Sequence, residues 1–324
     1  MPEYSAYAET CASIALALFA RRMWLIRPHH KYADIAELAI YNTALSGISL
    51  SGDRFFYENP LAADAEEYIF QQNRPEGMRR RLPIMERPKV FDCSCCPPNI
   101  LRFIASIGDF MYSASGDTIY AHCYMNGTAT LKMDSGTVVL AQQTGYPYDG
   151  AVEFKVKGSS LPALALRIPA WSSRTTVTVN GREVSGELRD GYLYLYSLQE
   201  GDHVILSLDM QVYMVEANSR VREVCGRTAV LRGPLVYCAE EYDNPFQLRD
   251  VRIQQGSNWT EERREIDGTK LLCLSGNGKI RLAADALYYP AGQELQDVTV
   301  KLIPYHAWAN RGISSMSVWL LQNR

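Results

Sequence analysis

The hydrophobic period of this chain changes once, near residue 115, and the change limits what the chain can fold into. Before it, apolar residues recur at helical spacing. Ala12 to Ile26 is apolar nearly all round, as a helix buried on several sides would be. Ile35, Leu38, Ala39, Asn42 and Leu45 repeat with a helical period, and so do Ile100, Phe103, Ile104, Ile107, Phe110 and Met111. After residue 115 the period is two, in short runs punctuated by Gly, Asn and Pro: TIYAHCYM, GTATLKM, GTVVLAQQ, AVEFKVKG, ALALRIPAW, TTVTVNG, GYLYLYSL and HVILSLDM. Such strands predict an antiparallel sandwich. A further set from about residue 215, including TAVLRGPLVYCAE, KLLCLSG, DVTVKLIPY and SMSVWLL, predicts a second, smaller β-domain. The expected fold is multidomain α + β, with a helical region at 1–114 and β-regions at 115–214 and 215–324. At least three helices precede residue 115, and three or four helices with broad apolar faces cannot cover one another. The helical region therefore reads as part of a larger helical assembly.

Charge excludes several partners. With 33 basic against 36 acidic residues and a net charge of −3, the chain offers no electrostatic case for nucleic acid or an anionic membrane, and a small neutral partner fits better. The longest unbroken apolar run, Ile14 to Ala20, is far short of the ~20 residues that span a bilayer. MPEYSAYAETCAS has no basic segment followed by an apolar core and a cleavage site, so it does not read as a signal peptide.

Eight cysteines in 324 residues are too few for a disulfide scaffold. Cys123, Cys225, Cys238 and Cys273 sit in apolar strand-like segments and read as small core residues. Cys11, Cys93, Cys95 and Cys96 need another explanation. Pro97 and Pro98 suit the opening turn of a helix running on through Met111, which sets Cys95 and Cys96 beside a helix N-terminus, where the dipole lowers a thiol pKa. Thr10 reads as the N-cap of the first helix, with Glu9 and Cys11 on either side. In the extended backbone before a helix, residues i and i+2 point the same way, so these two can converge. One carboxylate with two or three thiolates makes a tetrahedral zinc set, structural or catalytic. The spacing matches no standard zinc finger and leaves both roles open, along with plain reduced thiols.

The segments AYAETCASIALALFARRM, YADIAELAIYNTALSGISLSGDRFFYENPL, CSCCPPNILRFIASIGDFMY, LRIPAW, LRGPLVYCAE and LIPYHAWANRGISSMSVWL, in order from residue 6 to residue 320, resemble glycoside hydrolase family 127, whose founding activity is β-L-arabinofuranosidase, and the related family 146. The resemblance implies the C-terminal part of an (α/α)6 barrel followed by two antiparallel β-sandwich domains. It also implies Zn2+ held by Glu9, Cys11, Cys95 and Cys96, with Cys95 as the nucleophile of a retaining glycoside hydrolase. Cys93 is then the motif cysteine that lines the site without binding metal, and Tyr57 in FFYENP is a sugar contact.

The family's acid/base is a glutamate well upstream of the E-x-C pair. Only eight residues precede Glu9, and Glu3, the acidic residue among them, fits neither spacing nor context. The acid/base is therefore expected to be absent, and the chain resembles the C-terminal half of such an enzyme: one part of a split gene, a chain with a late start, or a remnant. Without a general acid, about 10²- to 10⁴-fold in rate is lost, so the chain alone is expected to be inactive. The expected partners are a glycan or small oligosaccharide, and a homodimer or a complementing N-terminal chain. Zinc thiolates point to the cytoplasm. The alternative is a non-catalytic carbohydrate-binding or interaction protein with a structural zinc site. Elsewhere the plain readings win: Glu66 and Glu67 form a solvated face, His29 and His30 a surface turn, and His306 lies in the last β-region. Trp171, Trp308 and Trp319 read as core or interface residues.

Overall fold

The computed structural model describes residues 3, 4, 6–79, 82, 84–89, 93–134, 136–281, 288 and 290–323. The chain divides into two units interleaved along the sequence, one built from 1–12, 42–98 and 212–324, the other from 13–41 and 99–211. The described residues contain the α-helices α1 (Thr10–Ile26), α2 (His30–Leu38), α3 (Ala65–Gln72) and α4 (Cys96–Ala105). None is long and apolar enough to cross a membrane.

The helices follow the sequence pattern with three differences. α2 passes into a π-helical turn, Ala39–Ala44, so the helical repeat through Leu45 is not one regular helix. α4 stops at Ala105 instead of continuing through Met111. Ser106 leaves helical geometry, its hydroxyl donates to the Phe103 carbonyl at 3.0 Å, and a short 3-10 turn, Ile107–Phe110, follows. On α1 only one stripe is buried (Ile14, Ala17, Ala20 and Trp24), while Leu16, Leu18, Phe19, Leu25 and Ile26 are exposed. The all-round apolar pattern thus exceeds what the described neighbours cover.

The unit containing residues 99–211 holds a sandwich. One sheet runs in the order Glu187–Arg189, Tyr192–Leu198, Leu161–Arg167, Thr118–Ala121, Tyr112–Ser115. The other runs Gly127–Met133, Gly136–Thr144, Ala151–Gly158, His203–Leu208, Thr175–Val179, Arg182–Glu183. Ile119, Leu164 and Leu166 from the first pack with Val138, Leu140, Phe154 and Leu206 from the second, as alternating strands with one apolar face must. The sandwich is not wholly antiparallel. Thr118–Ala121 pairs in parallel with Leu161–Arg167, because the chain crosses to the other sheet between them.

Arg167 and His122 are among the buried polar residues of this unit. The Arg167 guanidinium, 0 % exposed, bonds Asp34 Oδ1 and Glu37 Oε1, each at 2.6 Å, and donates to the His122 carbonyl at 2.5 Å. The His122 ring stacks on Trp24 at 4.6 Å and bonds the Ser113 and Tyr192 hydroxyls at 2.7 and 2.6 Å. Burial, with Arg167 and Arg21 adding to it, lowers the His122 pKa to about 3. The unfolded chain then binds a proton at His122 that the folded chain refuses. Stability present above the ordinary histidine pKa near 6.5 is lost as pH falls from there toward 3, by roughly 4 kcal/mol at most. Acid denaturation followed with and without His122→Gln checks this: the variant should flatten the loss between pH 6.5 and 4, and an unchanged profile would contradict it.

In the other unit the strands do not separate into two facing antiparallel sheets, as the second sandwich was expected to do. Pairings run from Arg227–Arg232 to Leu235–Glu240, Leu295–Pro304, Thr269–Arg281, Arg252–Ile253, Leu320–Gln322 and back to Arg227–Arg232, closing a circuit. Closure pairs edges that an open sheet would leave exposed. The pair Arg252–Ile253 with Leu320–Gln322 is parallel. Ala62–Ala63 joins the same network through Met316–Ser317.

Candidate metal centre

The site begins with a short backbone contact. Glu9 and Glu58 form an antiparallel bridge, the Thr10 amide donates to the Tyr57 carbonyl at 2.9 Å, and the Asn59 amide donates to the Ala8 carbonyl at 2.9 Å. α1 then starts at Thr10, with Cys11 as its second residue. α1 is assigned from Thr10 itself, and the Thr10 hydroxyl has partners outside the helix. It is buried, donates to the Phe56 carbonyl at 2.8 Å and accepts from Asn59 Nδ2 at 3.0 Å, locking the residue between Glu9 and Cys11 to the 56–59 segment. Gly47 leaves room for this: a Cβ there would stand 2.4 Å from Thr10 Cγ2. Gly47→Ala is expected to cost about 1–3 kcal/mol by overpacking, read as a lower thermal midpoint. A midpoint within error of the native chain would show that Thr10 can yield.

The second half comes from the CSCCPPN stretch. α4 opens at Cys96, and Pro97 and Pro98 occupy its first turn, where a missing N–H costs nothing. The four predicted ligands meet: donor atoms of Glu9, Cys11, Cys95 and Cys96 all lie within 4.8 Å of one another. Cys11 Sγ is 3.5 Å from Cys96 Sγ, Cys95 Sγ is 3.6 Å from Cys96 Sγ, and Cys95 Sγ is 3.5 Å from Glu9 Oε1. A tetrahedral zinc with ~2.3 Å bonds to sulfur and ~2.0 Å to oxygen sets its donors ~3.5–3.8 Å apart, so these three contacts match the ion's size and the donor set matches its chemistry. Cys96 is buried and Cys95 exposed. Cys93 is exposed, with its sulfur 4.0 Å from Cys95 Sγ, and does not join the four.

The expected lowering of thiol pKa at the helix start is not found in the cluster. Desolvation raises Cys95, and desolvation with hydrogen bonds to Cys11 and Cys95 raises Cys96 more strongly. The bond to Cys95 raises Cys93. Desolvation of the packed thiols, with their mutual contacts second to it, outweighs what one helix terminus offers a thiolate.

Tyr57 lies beside the cluster through a residue that the sequence reading did not single out. Its hydroxyl is 2.6 Å from that of Tyr7, which donates to Glu9 Oε2 at 2.9 Å. The Tyr7 bond, with desolvation and Glu9 behind it, holds the Tyr57 phenol well above its ordinary pKa. The signal for Tyr7 was available: the i, i+2 alternation that pairs Glu9 with Cys11 extends back to it.

The remaining candidates take ordinary roles. Glu66 and Glu67 occupy the first turn of α3, capped by Asp64. His29 caps α2, and His30 Nδ1 bonds Asp34 at 2.8 Å. His306 and Trp308 are buried, and Trp171 packs against the sandwich core. Glu3 is buried near Arg227, at 3.6 Å.

The family model described as "Beta-L-arabinofuranosidase, GH127 catalytic domain" matches residues 1–109, the GH127 middle domain matches 118–210, and the glycoside hydrolase family 127 C-terminal domain matches 212–321. A non-reducing end β-L-arabinofuranosidase of Bifidobacterium longum subsp. longum is 37 % identical over 98 % of this chain and 50 % of its own length. The crystal structure of a GH127 β-L-arabinofuranosidase from Geobacillus stearothermophilus T6 superposes with a TM-score of 0.90 at 36 % identity, over 100 % of this chain and 51 % of that one. A further GH127 β-arabinofuranosidase structure gives 0.85 at 32 % identity, over 100 % and 50 %. The chain thus spans about half the length of the relatives it matches. Three family models in sequence order and relatives matched along nearly the whole chain place this protein in glycoside hydrolase family 127.

Proposed function

We propose that this chain carries the zinc-bound cysteine nucleophile of a retaining glycoside hydrolase that releases terminal β-L-arabinofuranosyl or similar residues from glycans. The observation that supports this reading over a purely structural metal site is the solvent access of Cys95, half-buried to exposed, in a donor set whose neighbour Cys96 is buried. A cysteine that only completes a metal's shell has no need of solvent access, whereas a nucleophile must be reachable.

Zn2+ bound by Glu9, Cys11, Cys95 and Cys96 supplies the positive charge that keeps crowded thiols deprotonated. Cys95 Sγ attacks the anomeric carbon, the bond to the leaving oxygen breaks, and that oxygen takes a proton from a general acid. Water then attacks the same carbon, gives its proton to the conjugate base and returns the sulfur to Cys95, with net retention. Tyr57 contacts the sugar. No residue of this chain is assigned as the general acid. In this reading 1–114 is the C-terminal part of an (α/α)6 barrel and carries the chemistry, supported by the β-regions 115–214 and 215–324. The chain works in a reducing, cytoplasmic compartment, where four clustered thiols persist.

The partner follows from the exposed apolar side chains. Leu16, Phe19, Leu25 and Ile26 on α1, Ile35 and Leu38 on α2, and Leu101 and Ile104 on α4 are all exposed. Burying one such side chain is worth about 1.5–3 kcal/mol. Further helices of the catalytic domain, of the kind the uncovered half of the relatives holds, would cover them and bring the acid. Mixing with a chain equivalent to the uncovered half of the relatives should give a 1:1 complex that hydrolyses an aryl β-L-arabinofuranoside. Turnover by the 324-residue chain alone would contradict this.

The nucleophile is tested by intact-mass analysis after exposing the zinc-loaded chain to an epoxide of L-arabinofuranose configuration. One adduct on Cys95, absent in Cys95→Ser, is expected. Labelling at Cys93 or Cys11 instead would overturn the assignment.

A further inference from the structure

The carboxylate of Glu9 is divided between two neighbours. Oε1 lies 3.5 Å from Cys95 Sγ, on the thiol side, and Oε2 accepts from the Tyr7 hydroxyl at 2.9 Å. The Tyr57 hydroxyl lies 2.6 Å from that of Tyr7. Counting protons fixes the direction of this chain of bonds. A phenol has one proton and an ionised carboxylate only accepts, so the Tyr7 proton points to Glu9 and the Tyr7 oxygen receives the Tyr57 proton. The order is Tyr57 to Tyr7 to Glu9, with each donor strengthened by the negative charge at its end. Tyr7 is exposed, so water would compete for Oε2 if the phenol were absent, and Oε2 would lose a donor held in place by its own side chain.

We propose that Tyr7 is a positioning residue for the metal centre: by holding Glu9 Oε2, it commits Oε1 to the ion as a single-oxygen ligand, and Tyr57 supports it from behind. The inference rests on the zinc reading above. Outer partners of metal-bound groups set ligand orientation in this way, and their loss weakens metal binding about 10- to 100-fold.

The test is a zinc titration of the full chain against a chromophoric chelator for the native protein, Tyr7→Phe, Glu9→Ala and the double variant, with the metal-free thermal midpoint of each. Tyr7→Phe should bind zinc about 10- to 100-fold more weakly with an unchanged metal-free midpoint. In the Glu9→Ala background the same change should shift zinc affinity by less than about twofold, because its effect runs through Glu9. Native affinity in Tyr7→Phe, or an equal loss in both backgrounds, would overturn the proposal while leaving the zinc centre standing. A native chain that takes up no zinc would overturn both.

Discussion

A Cys96→Ala chain is expected to bind zinc about 10²- to 10³-fold more weakly than the native chain. A four-ligand thiolate zinc site is worth about 10–16 kcal/mol, or about 2.5–4 kcal/mol per ligand, and each 1.4 kcal/mol is tenfold. Cys96 should realise the whole share. It is buried, lies 3.5 Å from Cys11 Sγ and 3.6 Å from Cys95 Sγ, and its replacement leaves no route for water to restore a fourth ligand of equal quality. Cys93→Ala is the matched control, since its sulfur stands outside the four, and should change affinity by less than about threefold. Competition titrations on the two variants check this, and equal losses would mean that Cys93 is a ligand. The raised pKa values of Cys95 and Cys96 add a sign: protons must leave as zinc arrives, so affinity should fall as pH is lowered.

The second large effect lies away from the metal. Arg167→Met is expected to destabilise the chain by about 3–5 kcal/mol, because it strands a buried carboxylate. Glu37 is 1 % exposed and bonds Arg167 at 2.6 Å and the Tyr146 hydroxyl at 2.5 Å. Burial alone would lower the Arg167 pKa, but Glu37 and Asp34 hold it well above its ordinary value, so the cation persists. The carbonyl of Arg167 also accepts from the Tyr124 hydroxyl, a bond the substitution preserves. Urea unfolding of Arg167→Met, Glu37→Leu and the double variant separates the terms. The double variant should lose much less than the sum of the two single losses, because removing both charges removes the unpaired one. A loss below about 1 kcal/mol in Arg167→Met would show that Glu37 neutralises by taking a proton.

Periodicity made much of this architecture legible. Gly127–Met133 and Gly136–Thr144 alternate in burial as their sequence alternates, and the helix starting at Cys96 follows from Pro97 and Pro98. Periodicity carries no information on which strands meet. The parallel pairing of Thr118–Ala121 with Leu161–Arg167 and the closed circuit around Thr269–Arg281 depend on connections distant in sequence. At the candidate metal centre the clustering was readable because cysteine has few reasons to cluster, and the convergence of Glu9 with Cys95 followed from motif resemblance. The supporting contacts were not readable. Asn59 bonding Thr10 and the Thr10 hydroxyl turning to Phe56 are made by common residues whose roles depend on packing across about fifty positions.

The central claim is that Glu9, Cys11, Cys95 and Cys96 hold one zinc in a reachable thiolate site. Elemental analysis with zinc K-edge absorption on the purified chain tests it most directly. The account predicts one zinc per chain, with a first shell of three sulfurs at ~2.3 Å and one oxygen at ~2.0 Å. A shell dominated by nitrogen and oxygen, or zinc well below one per chain after loading, would contradict it.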